Sequence, residues 1–166
     1  DVDIPQYLRV IRYKTAKLFE AAMRLGAILS GAPADIEEGL ARYGMHLGTA
    51  FQLVDDVLDY SGDEAATGKH LGDDLAEGKP TLPLIHAMKH GSAEHAACVR
   101  HAIEAGGRDA LPGVLAAIRA SGALDETRRH AEAEARLALE AIAPLPPSTF
   151  RDSLVQLASF AVARDF

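Results

Sequence analysis

Asp55, Asp56 and Asp59 lie close together in the largely apolar stretch FQLVDDVLDYSGD, which spans Phe51–Asp63. If this stretch is helical, one of its sides carries Gln52, Asp55, Asp56 and Asp59. Carboxylates three or four residues apart repel one another by roughly a few tenths of a kcal/mol per pair, so a compensating charge is expected. Hard cations such as Mg²⁺ bind one or two carboxylates and complete their shell with water and substrate phosphate. The spacing therefore makes Asp55, Asp56 and Asp59 a candidate site for a cation and its diphosphate, although an isolated DDxxD is more often an exposed acidic helix end.

Basic and hydroxyl residues that could bind the same phosphate occur on both sides of the aspartates. Lys14 interrupts the apolar pattern of the first helix, with Thr15 beside it, and Lys69 and Lys79 follow in a glycine-rich segment. A diphosphate held by a cation still needs ammonium and hydroxyl donors, which Lys and Thr supply. Each lysine taken alone is more often solvated, but together with the carboxylates they indicate the parts of one diphosphate site.

The elements that must position these residues are predicted to be helices. Almost half of the 166 residues are apolar, and Val and Ile are scattered rather than gathered into alternating runs, which favours an all-α fold. The spacing predicts a first helix over Gln6–Leu29 and a second over Ala34–Tyr60. The segment Ser61–Thr81 is predicted to be a long loop with one turn of helix, and loops of that length are usually functional.

Five further helices are predicted in the remainder of the chain, at Leu82–Lys89, Ala93–Ala105, Ala110–Ala120, Asp125–Ala143 and Ser148–Arg164. The segment ETRRHAEAEARLALEAI mixes opposite charges with an Ala/Leu face, which is typical of an outer helix with a solvated charged side. The last helix is expected to dock onto the others through one side, which carries Phe150, Leu154, Leu157, Ala161 and Val162.

Composition excludes several other classes of protein. The formal charge is −7 and no Lys/Arg-rich block occurs, which argues against a nucleic-acid partner. No apolar run is long enough to span a membrane. A single cysteine, Cys98, favours a reducing, cytoplasmic setting. His86 and His90 lie one turn apart, but zinc usually needs three protein ligands at a catalytic site, so both are expected to be structural.

Three motifs now identify a resemblance. YKTAKLFEAA, YGMHLGTAFQLVDDVLDYSGD and GKHLGDDLAEGKPTLPLIHAM occur in this order, and they resemble successive motifs of the trans-isoprenyl (polyprenyl) diphosphate synthases. The segment GDDLAEGKPTLPLIHAMKHG is most similar in sequence to the octaprenyl diphosphate synthases of bacteria. The resemblance implies an isoprenoid synthase helical bundle, a prenyltransferase of isoprenoid biosynthesis, Mg²⁺ as cofactor, and a cytoplasmic homodimer.

The resemblance also implies a role for each candidate residue. Asp55 would be the direct Mg²⁺ ligand, with Asp56 and Asp59 acting partly through water. The allylic diphosphate would be held by Lys14, Thr15, Gln52 and Lys69, and Lys79 would close the polar loop over the site. The enzyme would condense isopentenyl diphosphate head to tail onto an allylic diphosphate such as farnesyl diphosphate.

The chain departs from the family because the first aspartate-rich motif and its upstream basic residues do not occur in it. Residues 1–166 are therefore predicted to be the C-terminal part of a single all-helical synthase domain, with an N-terminal segment of the same protein as its missing partner. Apolar surface should then be exposed. The alternative is a fragment or a non-catalytic subunit that is inactive without the missing half.

Overall fold

The computed structural model describes residues 2–61, 70–106 and 109–164, and within these ranges the chain is helical and contains no β-strand. The all-α prediction is confirmed. The helices are α1 (Ile4–Ile11), a π-helical segment (Arg12–Ala16), α2 (Lys17–Leu29), α3 (Ala34–Ser61), α4 (Asp73–Ala76), α5 (Leu82–His90), α6 (Ala93–Ala105), α7 (Leu111–Ser121), α8 (Ala123–Ala141) and α9 (Thr149–Ala163).

Local capping chemistry explains several of these boundaries. The Ser92 hydroxyl accepts the backbone N–H of His95 at 3.1 Å, and the Ser148 hydroxyl accepts that of Arg151 at 3.2 Å. Each serine thereby satisfies a backbone donor that the first turn of α6 or of α9 leaves unpaired. Gly122, with φ of 65°, ends α7 in the left-handed conformation that glycine tolerates best.

The helix predicted over Gln6–Leu29 is present, and a π-helical segment within it separates α1 from α2. In the described part of the predicted loop Ser61–Thr81, one short helix lies at Asp73–Ala76, which agrees with the helical turn predicted there. The part of that loop from 62 to 69 lies outside the described residues.

The chain divides into two compact units, formed by residues 2–7 with the described part of 55–129, and by residues 8–54 with 130–164. In the first unit, α5, α6 and α7 share an apolar core with the end of α3 and with α4. Its fully buried members are Tyr60, Leu75, Leu84, Ala87, Val99, Ala102, Val114, Ala117, Ile118 and Ala123. The assignment to a single domain stays a prediction.

In the second unit, α3 packs against α8 and α9. The buried members of this core are Tyr43, Leu47, Ala138, Ala141, Ile142, Ala158 and Ala161. The Tyr43 hydroxyl donates a hydrogen bond to the Leu154 carbonyl at 2.7 Å, and burial raises the pKa of Tyr43 to about 12. The phenol is therefore a neutral donor that fixes α9 on α3.

Glycines on α3 let α2 and the π-helical segment approach closely. A Cβ atom on Gly44 would lie 2.5 Å from the Phe19 carbonyl oxygen, and one on Gly48 would lie 2.6 Å from the Ala16 Cα. Both distances are far below ordinary van der Waals contact, so no residue larger than glycine fits there without a shift of backbone.

The docking side predicted for the last helix was partly wrong. Leu154 and Ala161 pack into the core together with Ala158, but Phe150 is 83% exposed and Leu157 is also exposed. Large apolar side chains are exposed on α1, α2 and the segment between them as well, namely Val10, Tyr13, Leu18, Leu25, Ile28 and Leu29. Among the described helices, none combines the length and apolar character needed to cross a membrane.

Candidate active site

The aspartate motif lies in the last turns of α3, within the first unit. Asp56 is 1% exposed and Asp59 is 9% exposed, whereas Asp55 is partly exposed. The alternative that the motif is a solvated acidic helix end is therefore wrong for Asp56 and Asp59. Buried carboxylates need specific partners, because an unpaired charge is costly away from water.

Tyr7 is a hydrogen-bond partner of Asp56. Tyr7 belongs to α1 and is 5% exposed, and its hydroxyl donates a hydrogen bond to the Asp56 carboxylate. Burial first, and then the negative charge of Asp56, raises the pKa of Tyr7 far above its usual range. The phenol therefore stays protonated and remains a donor at any physiological pH. The 49 residues that separate the pair explain why helical periodicity did not reveal Tyr7.

Asp59 accepts two backbone amides at the start of α4. Its carboxylate oxygens receive the N–H groups of Asp73 at 3.1 Å and of Asp74 at 3.2 Å. The carboxylate thus caps this short helix, in the way that acidic side chains favour a helix N-terminus. Burial and the charge of Asp74 nevertheless raise the pKa of Asp59 to about 6, against the opposing effect of the two amide bonds.

Lys79 is held in ion pairs. Its ammonium group lies 2.6 Å from Glu77 and 3.0 Å from Asp74. The hydrogen bonds to these carboxylates raise the pKa of Lys79, in the order Glu77 and then Asp74. Lys79 is therefore fully charged and linked to the segment that Asp59 caps. Lys69, the other predicted loop lysine, lies outside the described residues.

Lys14 and Thr15 belong to the second unit, where both lie in the π-helical segment. The Thr15 hydroxyl donates a hydrogen bond to the Gln52 side-chain oxygen at 3.0 Å, so the structure brings these two predicted residues together. A π-helical turn holds one extra residue compared with an α-helical turn, and such turns occur frequently at functional sites. No signal in the sequence distinguishes this segment from regular helix.

The aspartates offer the donor chemistry that a divalent cation needs. Across the part of the chain that is described, no group of three or more His, Cys, Asp or Glu side chains is arranged as a ready metal site. Mg²⁺ does not require one, because it usually takes one or two carboxylates and fills its shell with water and substrate phosphate. The partly exposed Asp55, next to the buried Asp56, is a donor set of that kind.

A cavity of about 510 Å³ also lies in the first unit, but it contains none of the predicted site residues. Its lining is formed by Val2, Asp3, Ile4, Pro5, Ile85, Met88, Lys89 and Arg100. The cavity therefore contributes nothing to the assignment of the aspartate motif.

The described helices, a DDxxD motif with two buried aspartates and a Lys-Thr pair in a π-helical segment together define the class of protein. The model of the polyprenyl synthetase family matches residues 1–118, so the chain belongs to the polyprenyl synthetase family. The predicted resemblance is confirmed.

Individual relatives agree with this assignment. The chain is 52% identical to the octaprenyl diphosphate synthase of Escherichia coli over 99% of its own length and 51% of the relative's. It is 46% identical to the nonaprenyl diphosphate synthase of Rhodobacter capsulatus over 95% of its length and 48% of the relative's. The chain thus spans about half the length of these curated relatives.

A solved structure shares the fold over the whole chain. A polyprenyl synthase from Caulobacter crescentus, crystallised with calcium and isoprenyl diphosphate, superposes with a TM-score of 0.93 at 39% identity, covering 100% of this chain and 51% of the neighbour. The isoprenoid synthase helical bundle predicted from the motifs is confirmed by this likeness.

Proposed function

We propose that the chain supplies the diphosphate-binding half of a Mg²⁺-dependent, long-chain trans-polyprenyl diphosphate synthase. The complete enzyme would condense isopentenyl diphosphate head to tail onto an allylic diphosphate such as farnesyl diphosphate. A product of octaprenyl length, a homodimer and a cytoplasmic location belong to the same proposal. The E. coli relative supports the octaprenyl product, and the calcium and isoprenyl diphosphate of the Caulobacter neighbour support a divalent cation.

The proposal rests on how the aspartates are buried and hydrogen-bonded in this chain, which belongs to the polyprenyl synthetase family. Two carboxylates are removed from water at the end of α3, and each accepts hydrogen bonds from groups that fix its position. A solvated acidic surface would not need a buried tyrosine or backbone amides as partners. Fixed carboxylates with the partly exposed Asp55 beside them suit a cation that brings a diphosphate with it.

Each residue then has a defined task. Asp55 would bind the cation directly, with Asp56 and Asp59 acting through their fixed positions and through water. Lys14, Thr15, Gln52 and Lys69 would donate to the allylic diphosphate, and Lys79 would cover it. These donors would stabilise the diphosphate as it leaves and the allylic carbon becomes positive.

The bond-forming step requires no side-chain nucleophile. The double bond of isopentenyl diphosphate attacks the allylic carbon as the carbon–oxygen bond to diphosphate breaks, and the proton lost afterwards can pass to the departed diphosphate. A bound divalent cation would supply positive charge to that leaving group. The alternative, a non-catalytic subunit, has no use for the carboxylates, the Lys-Thr pair and Gln52 together.

Reconstitution tests the proposal. The chain would be joined to the N-terminal half of the E. coli octaprenyl diphosphate synthase, and incorporation of labelled isopentenyl diphosphate into farnesyl diphosphate would be measured with Mg²⁺. Asp55→Ala should lower turnover roughly a hundredfold or more, whereas Asp125→Ala, which removes an exposed carboxylate on α8, should leave it within about twofold. Full turnover in Asp55→Ala would refute the assignment.

Binding to the chain itself provides a second readout. Titration calorimetry with inorganic pyrophosphate and Mg²⁺ should show binding to the wild-type chain and to Asp125→Ala, but much weaker binding to Asp55→Ala. Mass analysis of the products of the joined protein would separate an octaprenyl product from a shorter or longer one. If Asp55→Ala does not change turnover, the fold assignment stays intact but the proposed metal site is refuted.

A further inference from the structure

Glu134, on α8, is a buried carboxylate that the proposed chemistry does not use. The residue is 8% exposed, yet both of its oxygens are engaged. One accepts a hydrogen bond from the Arg12 guanidinium at 2.9 Å, and the other lies 2.6 Å from the His46 ring Nδ1. A charge this buried is retained only when its partners are well placed.

Arg12 connects Glu134 to the proposed diphosphate site. Arg12 is the first residue of the π-helical segment Arg12–Ala16, which also contains Lys14 and Thr15. Its Nε is buried and has no hydrogen-bond partner among the described residues. The hydrogen bond and the ion pair described for the Arg12 guanidinium are both made with Glu134.

A second contact fixes the other end of the segment. Thr15 donates to Gln52 on α3, and Ala16 lies against Gly48, also on α3. Glu134 is itself paired with His46 on the same helix. The segment is thus held at its first residue through Glu134 and at its fourth residue through Gln52, with Lys14 between the two attachments.

The negative charge of Glu134 is secured by these partners. Burial acts to raise the pKa of Glu134, but the hydrogen bond from His46 and the charge of Arg12 outweigh it and hold the pKa below its usual value. The carboxylate therefore stays ionised at neutral pH. Loss of the charge would leave Arg12 without its partner.

We propose that Glu134 is a positioning residue, which acts through Arg12 to hold the π-helical segment where Lys14 and Thr15 meet the diphosphate. The proposal rests on the proposed function, because it assumes that these two residues bind diphosphate. Glu134 lies beyond residues 1–118, the part that the family model matches. A helix outside that matched region would thus help to determine how tightly the diphosphate is held.

Paired variants test the proposal in the chain as it stands. Glu134→Gln and Arg12→Gln both remove the ion pair between these two residues. Arg24→Gln is the matched control. Arg24 pairs with Glu37 and Glu38 in the same unit, and none of its described ion pairs involves the π-helical segment. Titration with inorganic pyrophosphate and Mg²⁺ should show roughly tenfold weaker binding in both test variants and unchanged binding in the control.

Hydrogen exchange gives a readout that does not depend on any ligand. Amides of residues 12–16 should exchange faster in Glu134→Gln and in Arg12→Gln than in Arg24→Gln. Combining Glu134→Gln with Lys14→Ala should weaken pyrophosphate binding by less than the sum of the two single effects, because Glu134 acts through the segment that presents both Lys14 and Thr15. A purely structural role would instead give additive effects.

The outcomes separate the two proposals. Unchanged exchange in residues 12–16 overturns the positioning role, and so does faster exchange with unchanged pyrophosphate binding. If the wild-type chain binds no pyrophosphate, the proposed function fails for this chain, while the exchange measurement still decides whether Glu134 holds the segment. If Glu134→Gln does not fold, Arg12→Gln, with its side chain 41% exposed, carries the same test.

Discussion

Replacement of Gly48 by alanine should destabilise the protein although alanine is the better helix former. The added Cβ would lie 2.6 Å from the Ala16 Cα, 3.0 Å from the Ala16 Cβ and 3.0 Å from a Phe19 ring carbon. Ordinary contact begins near 3.4 Å, so α3 and the backbone of Ala16 must separate by about 0.8 Å. The backbone cannot rotate away as a flexible side chain would.

The size of the effect follows from two opposing contributions. Overpacking of this kind costs about 1–3 kcal/mol, and the change from glycine to alanine inside a helix returns up to about 1 kcal/mol. Gly26 on α2 offers the matched control, because a Cβ there meets nothing within 4 Å. Gly26→Ala should therefore show only the favourable contribution, and the difference between the variants should equal the overpacking cost.

Urea denaturation followed by far-UV circular dichroism would measure both variants against the wild-type chain. We expect the free energy of unfolding of Gly48→Ala to lie about 1–3 kcal/mol below that of Gly26→Ala, which corresponds to a difference in Tm of about 2–12 °C at this chain length. Equal stability of the two variants would show that α3 does not approach the π-helical segment as closely as described.

Two further perturbations test other contacts. Tyr7→Phe removes the donor to the buried Asp56 carboxylate and should lower the free energy of unfolding by about 1–3 kcal/mol. The control Tyr13→Phe, at a largely exposed position, should change the free energy of unfolding by less than about 0.5 kcal/mol. Similar values for the two variants would contradict the buried hydrogen bond. Because the pKa of Glu134 lies below the ordinary value of 4.5 in the folded chain, its contribution to stability is present above that pH and is lost as the pH falls through the folded pKa. Urea midpoints recorded from neutral pH downward should thus fall less steeply for Glu134→Gln than for the wild-type chain, and identical slopes would mean that Glu134 is not stabilised as an anion.

The sequence predicted what depends on local signals. The helix predicted at Ala93–Ala105 matches α6, and the spacing of the aspartates predicts several oxygens on one side of a helix. The family motifs predicted Thr15 and Gln52 as contacts of the same diphosphate, and a hydrogen bond joins the two side chains in the structure. The roles of these residues toward diphosphate stay predictions.

Contacts between distant parts of the chain could not be predicted. Glu134 lies in a segment whose mixed charges predicted a solvated side, yet Arg12 and His46 make its burial favourable from 122 and 88 residues away. Likewise, the predicted docking side of α9 was wrong for Phe150 and Leu157, which are exposed, whereas the small Ala158 is buried in the core. Periodicity identifies an apolar face but not the distance at which the neighbouring helix will lie.

The long separation of these contacts has a kinetic consequence. In the first unit, α5, α6 and α7 follow one another directly and pack together, so their contacts require only short loops to close. The second unit is instead completed by contacts that join residues 88 to 122 positions apart, including Tyr43 with Leu154. Closing such loops is slow because the entropy of the intervening chain is lost before the contacts form.

We expect pulse-labelled hydrogen exchange to show protection of α5–α7 before protection of α8 and α9, and the reverse order would contradict this sequence of events. During synthesis, the segment that carries Lys14 and Thr15 would leave the ribosome before α8 and acquire its final attachment only after α8 has followed.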